Sequence, residues 1–347
     1  MIKLFQITVF VLLFLCAQIS FAEKIFIESR VADGSWRSEL AIEPLIGQKV
    51  FLRVKEIDGA SIQWFRIQPN INIRYNNAVW PWLPNAYKWK GFDEIKYSRI
   101  LLPQFDGKWK INIFPKKGSA ASQKGSLIKN DSLLSYFQRR LFDTKANESS
   151  FASNNIGSFW FQAEVTKSGQ KFATPGIESK DHRGLSNKVF RISIKQGNDL
   201  LGNLTSYFNV PAVFGSTPYQ VKNHIGIDCA DVLMAAYSKS KNLPIAKDYN
   251  VAMLTSKFKT VVKSRIEDGQ PVSKIRWQKD IRAGDFIAVK YSVNGQYQHI
   301  GVLYNDQNGN GLLDGEDLIL HAGPDPLHFS MIKSGPFDGT IAILRTE

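Results

Sequence analysis

Beyond Ala22 the chain holds one cysteine, Cys229, so it must fold without an internal disulfide and rely on its buried core. The other cysteine, Cys16, lies in an apolar run between Leu4 and Ala17 that only Gln6 and Thr8 interrupt, behind the single charge of Lys3. Ser20 and Ala22 then supply the small residues that a signal peptidase reads. Residues 1–22 therefore read as a secretory signal, since the run is shorter than the ~20 apolar residues of a membrane span. Leu13-Phe14-Leu15 lacks the small residue expected before a lipidated cysteine. The expectation is an exported chain, periplasmic or secreted, with no stable membrane insertion after signal cleavage. A lone thiol in that oxidising compartment is either buried and inert or kept for its reactivity.

The remaining length suits two domains. The net charge of +13 is spread along the chain, without a nucleic-acid recognition motif, which argues against nucleic acid as a partner. It suits either colloidal solubility or attraction to an anionic envelope polymer such as peptidoglycan. The sequence leaves the oligomeric state open.

From residue 23 to 196 the pattern is β. Period-two runs at 49–54, 61–67, 108–114, 159–165 and 189–194, parted by turn residues, predict an antiparallel β-sandwich with Trp64 in its core. Residues 117–155 break this pattern with a small, polar stretch and then apolar residues at helical spacing, and they read as an insertion. Tyr75, Trp80, Trp82, Tyr87 and Trp89 lie close together in the sequence and suit either core packing or a glycan-binding surface.

Residues 197–347 change to α+β, with a helix over 228–241 followed by short apolar strands at 286–289, 300–303, 318–320 and 341–344. Asp228 is a good N-cap, and Asp231 stands where the acidic partner of a capping box would. Cys229 then falls in the first turn, where unpaired N–H groups and the helix dipole favour thiolate. A thiolate nucleophile needs a base and an orienting group. His299 opens one strand and His321 closes another, so both imidazoles can converge on the helix start. His224, five residues before Cys229, reads as a loop or cleft-edge residue with a competing base as the alternative, while His182 and His328 fit no pattern.

The ordered set Asp228-Cys229, Gly284-Asp285-Phe286, His299-Ile300-Gly301-Val302 and Leu320-His321-Ala322 resembles the NlpC-type cell-wall cysteine peptidases over roughly residues 202–347. The resemblance implies a papain-like α+β domain that hydrolyses amide bonds in peptidoglycan stem peptides through a thioacyl-enzyme. It makes Cys229 the nucleophile, His299 the base and acid, and His321 the group orienting His299. It makes Tyr219 an oxyanion donor beside the Cys229 N–H. The chain departs from the family at two places. Gln220 to His224 replaces the usual Gly pair after the tyrosine, and Ala230-Asp231 replaces Ser-Gly after the cysteine.

Between the two histidines, Asp306, Asn308, Asn310, Asp314 and Asp317 occupy positions 1, 3, 5, 9 and 12 of a calcium loop, with Gly311 at position 6. A structural calcium ion is expected there, and no organic cofactor. Two other readings stay open: an acyltransferase or protein-directed peptidase with the same chemistry, and a non-catalytic, calcium-stabilised envelope-binding protein.

Overall fold

Phe190-Arg191-Ile192-Ser193-Ile194 alternates apolar and polar side chains, a pattern that in a half-exposed sheet would send Arg191 and Ser193 to water. Both are buried instead, because each face of this strand meets a different part of the chain. The computed structural model describes residues 25–55, 59–77, 94–103, 156–292 and 295–346. The expected signal at 1–22, the strand at 108–114, the insertion at 117–155, and Trp80, Trp82, Tyr87 and Trp89 lie outside the described residues.

The N-terminal part supplies β1 (Ile27–Val31), β2 (Ala41–Ile42), β3 (Val50–Val54), β4 (Ser61–Pro69), β5 (Tyr75–Asn76) and β6 (Tyr97–Leu101). It continues with β7 (Gly157–Lys167), β8 (Gln170–Ala173), β9 (Lys180–Asp181), β10 (Gly184–Leu185) and β11 (Phe190–Ile194). Six strands form one sheet in the order β2-β11-β7-β4-β6, with β8 added to β7. β1 and β3 form a separate antiparallel pair. That pair packs Ile27, Val50, Leu52 and Val54 against Trp64, Phe159, Phe161 and Ile192 of the large sheet. Trp64 is thus a core residue, as expected. The larger sheet is mixed, not purely antiparallel, because β2 runs parallel to β11. Tyr75 is fully buried, donates its hydroxyl to the Asn70 carbonyl and accepts from the Lys96 N–H, so it packs in the interior and offers no sugar-stacking face.

The C-terminal part opens with α1 (Leu200–Thr205), β12 (Val213–Phe214), α2 (Pro218–Lys222), α3 (Cys229–Ser240) and α4 (Val251–Lys257). Then come β13 (Lys259–Glu267), β14 (Gln270–Pro271), β15 (Phe286–Lys290), β16 (His299–Asn305), β17 (Leu318–His321), β18 (His328–Met331) and β19 (Gly339–Arg345). These seven strands form an antiparallel sheet in the order β14-β13-β19-β15-β16-β17-β18. The sequence pattern predicts β15, β16, β17 and β19, which fill its middle. It misses β13, β14 and β18, which lie toward the edges, where Lys259, Lys263 and Arg265 interrupt the apolar rhythm as edge strands commonly do. Asp285 is buried and takes both Nε and Nη2 of Arg345, which ties the start of β15 to the end of β19.

Two buried clusters join the two parts, the smaller one where β5 pairs with β12 and Tyr75 and Ile95 meet Val213 and Ile225. In the larger one, Ile67 and Trp160 from the N-terminal sheet and Leu185 of β10 pack with Leu233 of α3, Phe286 of β15 and Ile300 of β16. α3 is therefore covered nearly all round, with Ala230 to Ala236 buried in succession. No helix among the described residues is long and apolar enough to cross a membrane.

Candidate active site

Helix α3 begins where the sequence places it. Asp228 is the N-cap, in extended conformation, and its Oδ1 accepts the N–H groups of Ala230 at 3.1 Å and Asp231 at 2.9 Å. The expected capping box is only half formed. Asp231 does not reach back to the Asp228 N–H, which goes to Ser216 Oγ at 3.1 Å. Ser216 in turn donates to Asp231 Oδ2 at 3.2 Å, and Asp231 Oδ1 takes the Tyr249 N–H. The acid thus holds the preceding and following loops instead of the cap itself.

Cys229 is the first residue of α3, partly exposed, and packs against the cluster that contains Ile300. The backbone N–H of Ile300, the residue after His299, faces the sulfur as a donor that favours the thiolate. The electrostatics differ from the sequence expectation. Burial pushes the Cys229 thiol up, Asp228 adds to this, and Asp231 contributes less, while the Ile300 N–H works the other way. The carboxylates that start the helix therefore offset the helix N-terminus, and the resting group is a thiol. Burial also raises Asp228 and Asp231 themselves, with Asp248 adding to both.

His299 and His321 come together as expected. His299 Nε2 lies 3.1 Å from His321 Nδ1, with the rings edge to face and Phe337 against both. Glycine at 301 permits this approach. A Cβ there would lie 2.6 Å from Ile319 Cγ2 and 3.0 Å from His321 Cβ. Burial, with His328 in support, holds His299 down to about 3, and the same causes hold His321 well below the usual imidazole range. Both rings are neutral at ordinary pH.

Two participants carry no sequence signal. Ser330 Oγ lies 2.8 Å from His321 Nε2, and the His328 ring sits 4.2 Å from that of His321. Both belong to β18, whose register sets His328 opposite His321, and that pairing appears only once the sheet is assembled. His328 directs its own Nδ1 to the Pro326 carbonyl at 2.8 Å.

Tyr219 packs in a cluster separate from the one that holds Cys229. It lies in α2 and packs with Tyr75, Ile95, Val213 and Ile225, with the Arg183 guanidinium 4.3 Å above its ring. His224 is fully buried, stacked on Tyr207 and bonded to Ser158 and Lys239, so it is no competing base.

The expected calcium loop connects β16 to β17 and is tied down by its own side chains. Asp306 accepts the N–H groups of Gly309 and Gly311, and the amides of Asn308 and Asn310 both donate to Asp314 Oδ2. Asp317 is turned inward, fully buried, and takes the indole N–H of Trp277 at 2.8 Å together with the Gln307 and Asp314 N–H groups. Burial raises Asp317 to about 6 against these donors. Among the described residues, no group of three or more His, Cys, Asp or Glu side chains is placed to hold a metal ion.

No protein-family model matches the chain, and no curated protein or solved structure matches it significantly.

Proposed function

We propose that the chain is an exported cysteine peptidase or amidase acting on amide bonds of peptidoglycan stem peptides, with a papain-like catalytic part following a β-rich part. The supporting observation is the paired imidazoles beside a helix that starts on a partly exposed cysteine. In this reading His299 accepts the Cys229 proton as sulfur attacks the carbonyl carbon. The neutral resting groups make this concerted general-base catalysis, without a preformed ion pair. Asp228 takes the N–H groups of Ala230 and Asp231, not that of Cys229, which is the natural donor to the oxyanion. His299 then returns the proton to the leaving amine, and water resolves the thioester. The decisive experiment digests purified peptidoglycan with the mature protein and follows stem fragments by mass spectrometry. Release by wild type and none by Cys229→Ala supports the reading; equal release, or none from either, removes it.

The raised thiol favours a second reading, a non-catalytic envelope-binding protein. Binding to peptidoglycan sacculi by wild type and Cys229→Ala alike, with no fragments released, identifies that case.

The twelve-residue spacing of Asp306 to Asp317 further supports a structural calcium ion. Asp306, Asn308, Asn310 and Asp314 would supply the oxygens, with the amides turned to present oxygen. Asp317, with donors on both oxygens, would serve the loop as scaffold. Calorimetric titration of the chelator-treated protein with calcium, beside Asp306→Ala, tests this.

A further inference from the structure

The polar face of β11 runs into a buried cluster of charge that the proposed chemistry does not use. Arg191, Ser193 and Lys195 alternate along one side of the strand, and this side faces the last turn of α3. Three cations surround one carboxylate there. Glu43 lies 2.5 Å from Lys239, 3.8 Å from Lys195 and 3.9 Å from Arg191. His224 adds no charge, because burial holds it well below its usual range. Lys239 lies 3.0 Å from its Nε2, and Ser158 Oγ lies 2.7 Å from its Nδ1.

Two donors in this cluster have no acceptor among the described residues. They are Nε of Arg191, whose side chain is 9% exposed, and the hydroxyl of Tyr207, which is fully buried. An unmet buried donor costs about 1–3 kcal/mol, more when it is charged, so native proteins rarely leave one. A water molecule would satisfy the donors yet leave three positive charges facing one negative charge. An anion answers both deficits. The surroundings also limit its size, since Tyr207 stacks on His224 with ring centroids 4.1 Å apart and both residues are fully buried. Solvent reaches the cluster mainly along Glu43 and Lys239, which are 27% and 19% exposed.

We infer that the junction between β11 and the end of α3 is a binding site for a small monatomic anion of the chloride class, held by Arg191 Nε, the Tyr207 hydroxyl and the Lys195 and Lys239 ammonium groups. The anion would neutralise the polar contact between the N-terminal sheet and the far end of the helix that starts with Cys229. The inference does not depend on the enzyme reading.

The test uses the full mature protein. Thermal unfolding is followed in sodium chloride, sodium bromide and sodium gluconate at equal ionic strength, for wild type and Tyr207→Phe. Crystals grown in bromide are examined for anomalous scattering. The expected result is a saturating rise in Tm with either halide relative to gluconate, most of it lost in Tyr207→Phe, and a bromide peak in contact with Tyr207 Oη and Arg191 Nε. Tyr207→Phe removes only an unpaired hydroxyl, and the wild-type bromide map decides the matter should that variant not fold. Equal Tm in all three salts, a halide effect unchanged in Tyr207→Phe, or a water bridging the two donors would each overturn the inference.

Discussion

The Nε2 of His299 and the Nδ1 of His321 lie 3.1 Å apart, and His321 passes its other nitrogen to Ser330 at 2.8 Å. Only one tautomer chain leaves Nδ1 of His299 able to accept a proton. Nε2 of His299 must donate to His321, and Nε2 of His321 must donate to Ser330 Oγ. His321→Ala is expected to lower kcat about 100-fold with little change in KM, the scale of a misplaced general base. His321→Asn should retain more activity and Ser330→Ala should lose less. Steady-state kinetics on a muropeptide substrate measures the order, and equal loss in all three variants would discard the chain.

Gly301 and Gly309 sit in the same hairpin for different reasons. A Cβ at 301 would press into Ile319 and His321, whereas 309 has open space but a φ of +71°. Gly301→Ala should cost about 1–3 kcal/mol by overpacking and separate the two imidazoles. Gly309→Ala should cost about 1–2 kcal/mol from backbone conformation alone and spare activity. Denaturant midpoints together with turnover distinguish the two.

The thiol of Cys229 is held up by burial and by Asp228. Alkylation by iodoacetamide should therefore stay slow through neutral pH and still be climbing above pH about 8.5, where a free thiol has half ionised. Asp228→Asn keeps the cap and removes the charge, so labelling at a fixed alkaline pH should speed up several-fold. An unchanged rate would show that Asp228 has no part in raising the thiol.

The buried histidines set an acid limit. An unfolded imidazole protonates near pH 6.5, whereas His299 is held to about 3 and His224 and His321 lie well below their usual range. Their native pKa is depressed, so the unfolded state takes up protons that the fold refuses. The stability they contribute is complete above pH 6.5 and falls as the pH drops toward the native values. Each histidine contributes a slope of up to about 1.4 kcal/mol per pH unit. Asp228 and Asp231, raised by burial, carry the opposite sign, and their stabilisation fades as pH rises. Urea unfolding of wild type between pH 4 and 7 should show a steeper fall toward acid than His299→Asn; matching slopes would contradict the buried neutral ring.

Local signals were the legible ones. Asp228 before an apolar helix marked the start of α3 because capping is a contact within three residues. The alternation around Trp64 marked a core strand for a similar reason. The His299–His321 contact could be read from strand order because both residues lie on neighbouring strands joined by one hairpin. Long-range pairing was not legible. The parallel register of β2 on β11, and Ser330 and His328 on β18, depend on contacts that no local period encodes. Electrostatics escaped for another reason. The helix N-terminus was visible in the sequence, but the desolvation that outweighs it belongs to the assembled core.

Trp160 and Ile67 share their packing with Leu233, Phe286 and Ile300. Severing the chain between residues 196 and 197 would expose apolar surface on both pieces, and neither would keep the polar face of β11 covered. A C-terminal fragment made alone should precipitate or melt without a cooperative transition. The intact protein should unfold in one step, so damage far out in the N-terminal sheet would weaken the grip on Cys229 without touching it.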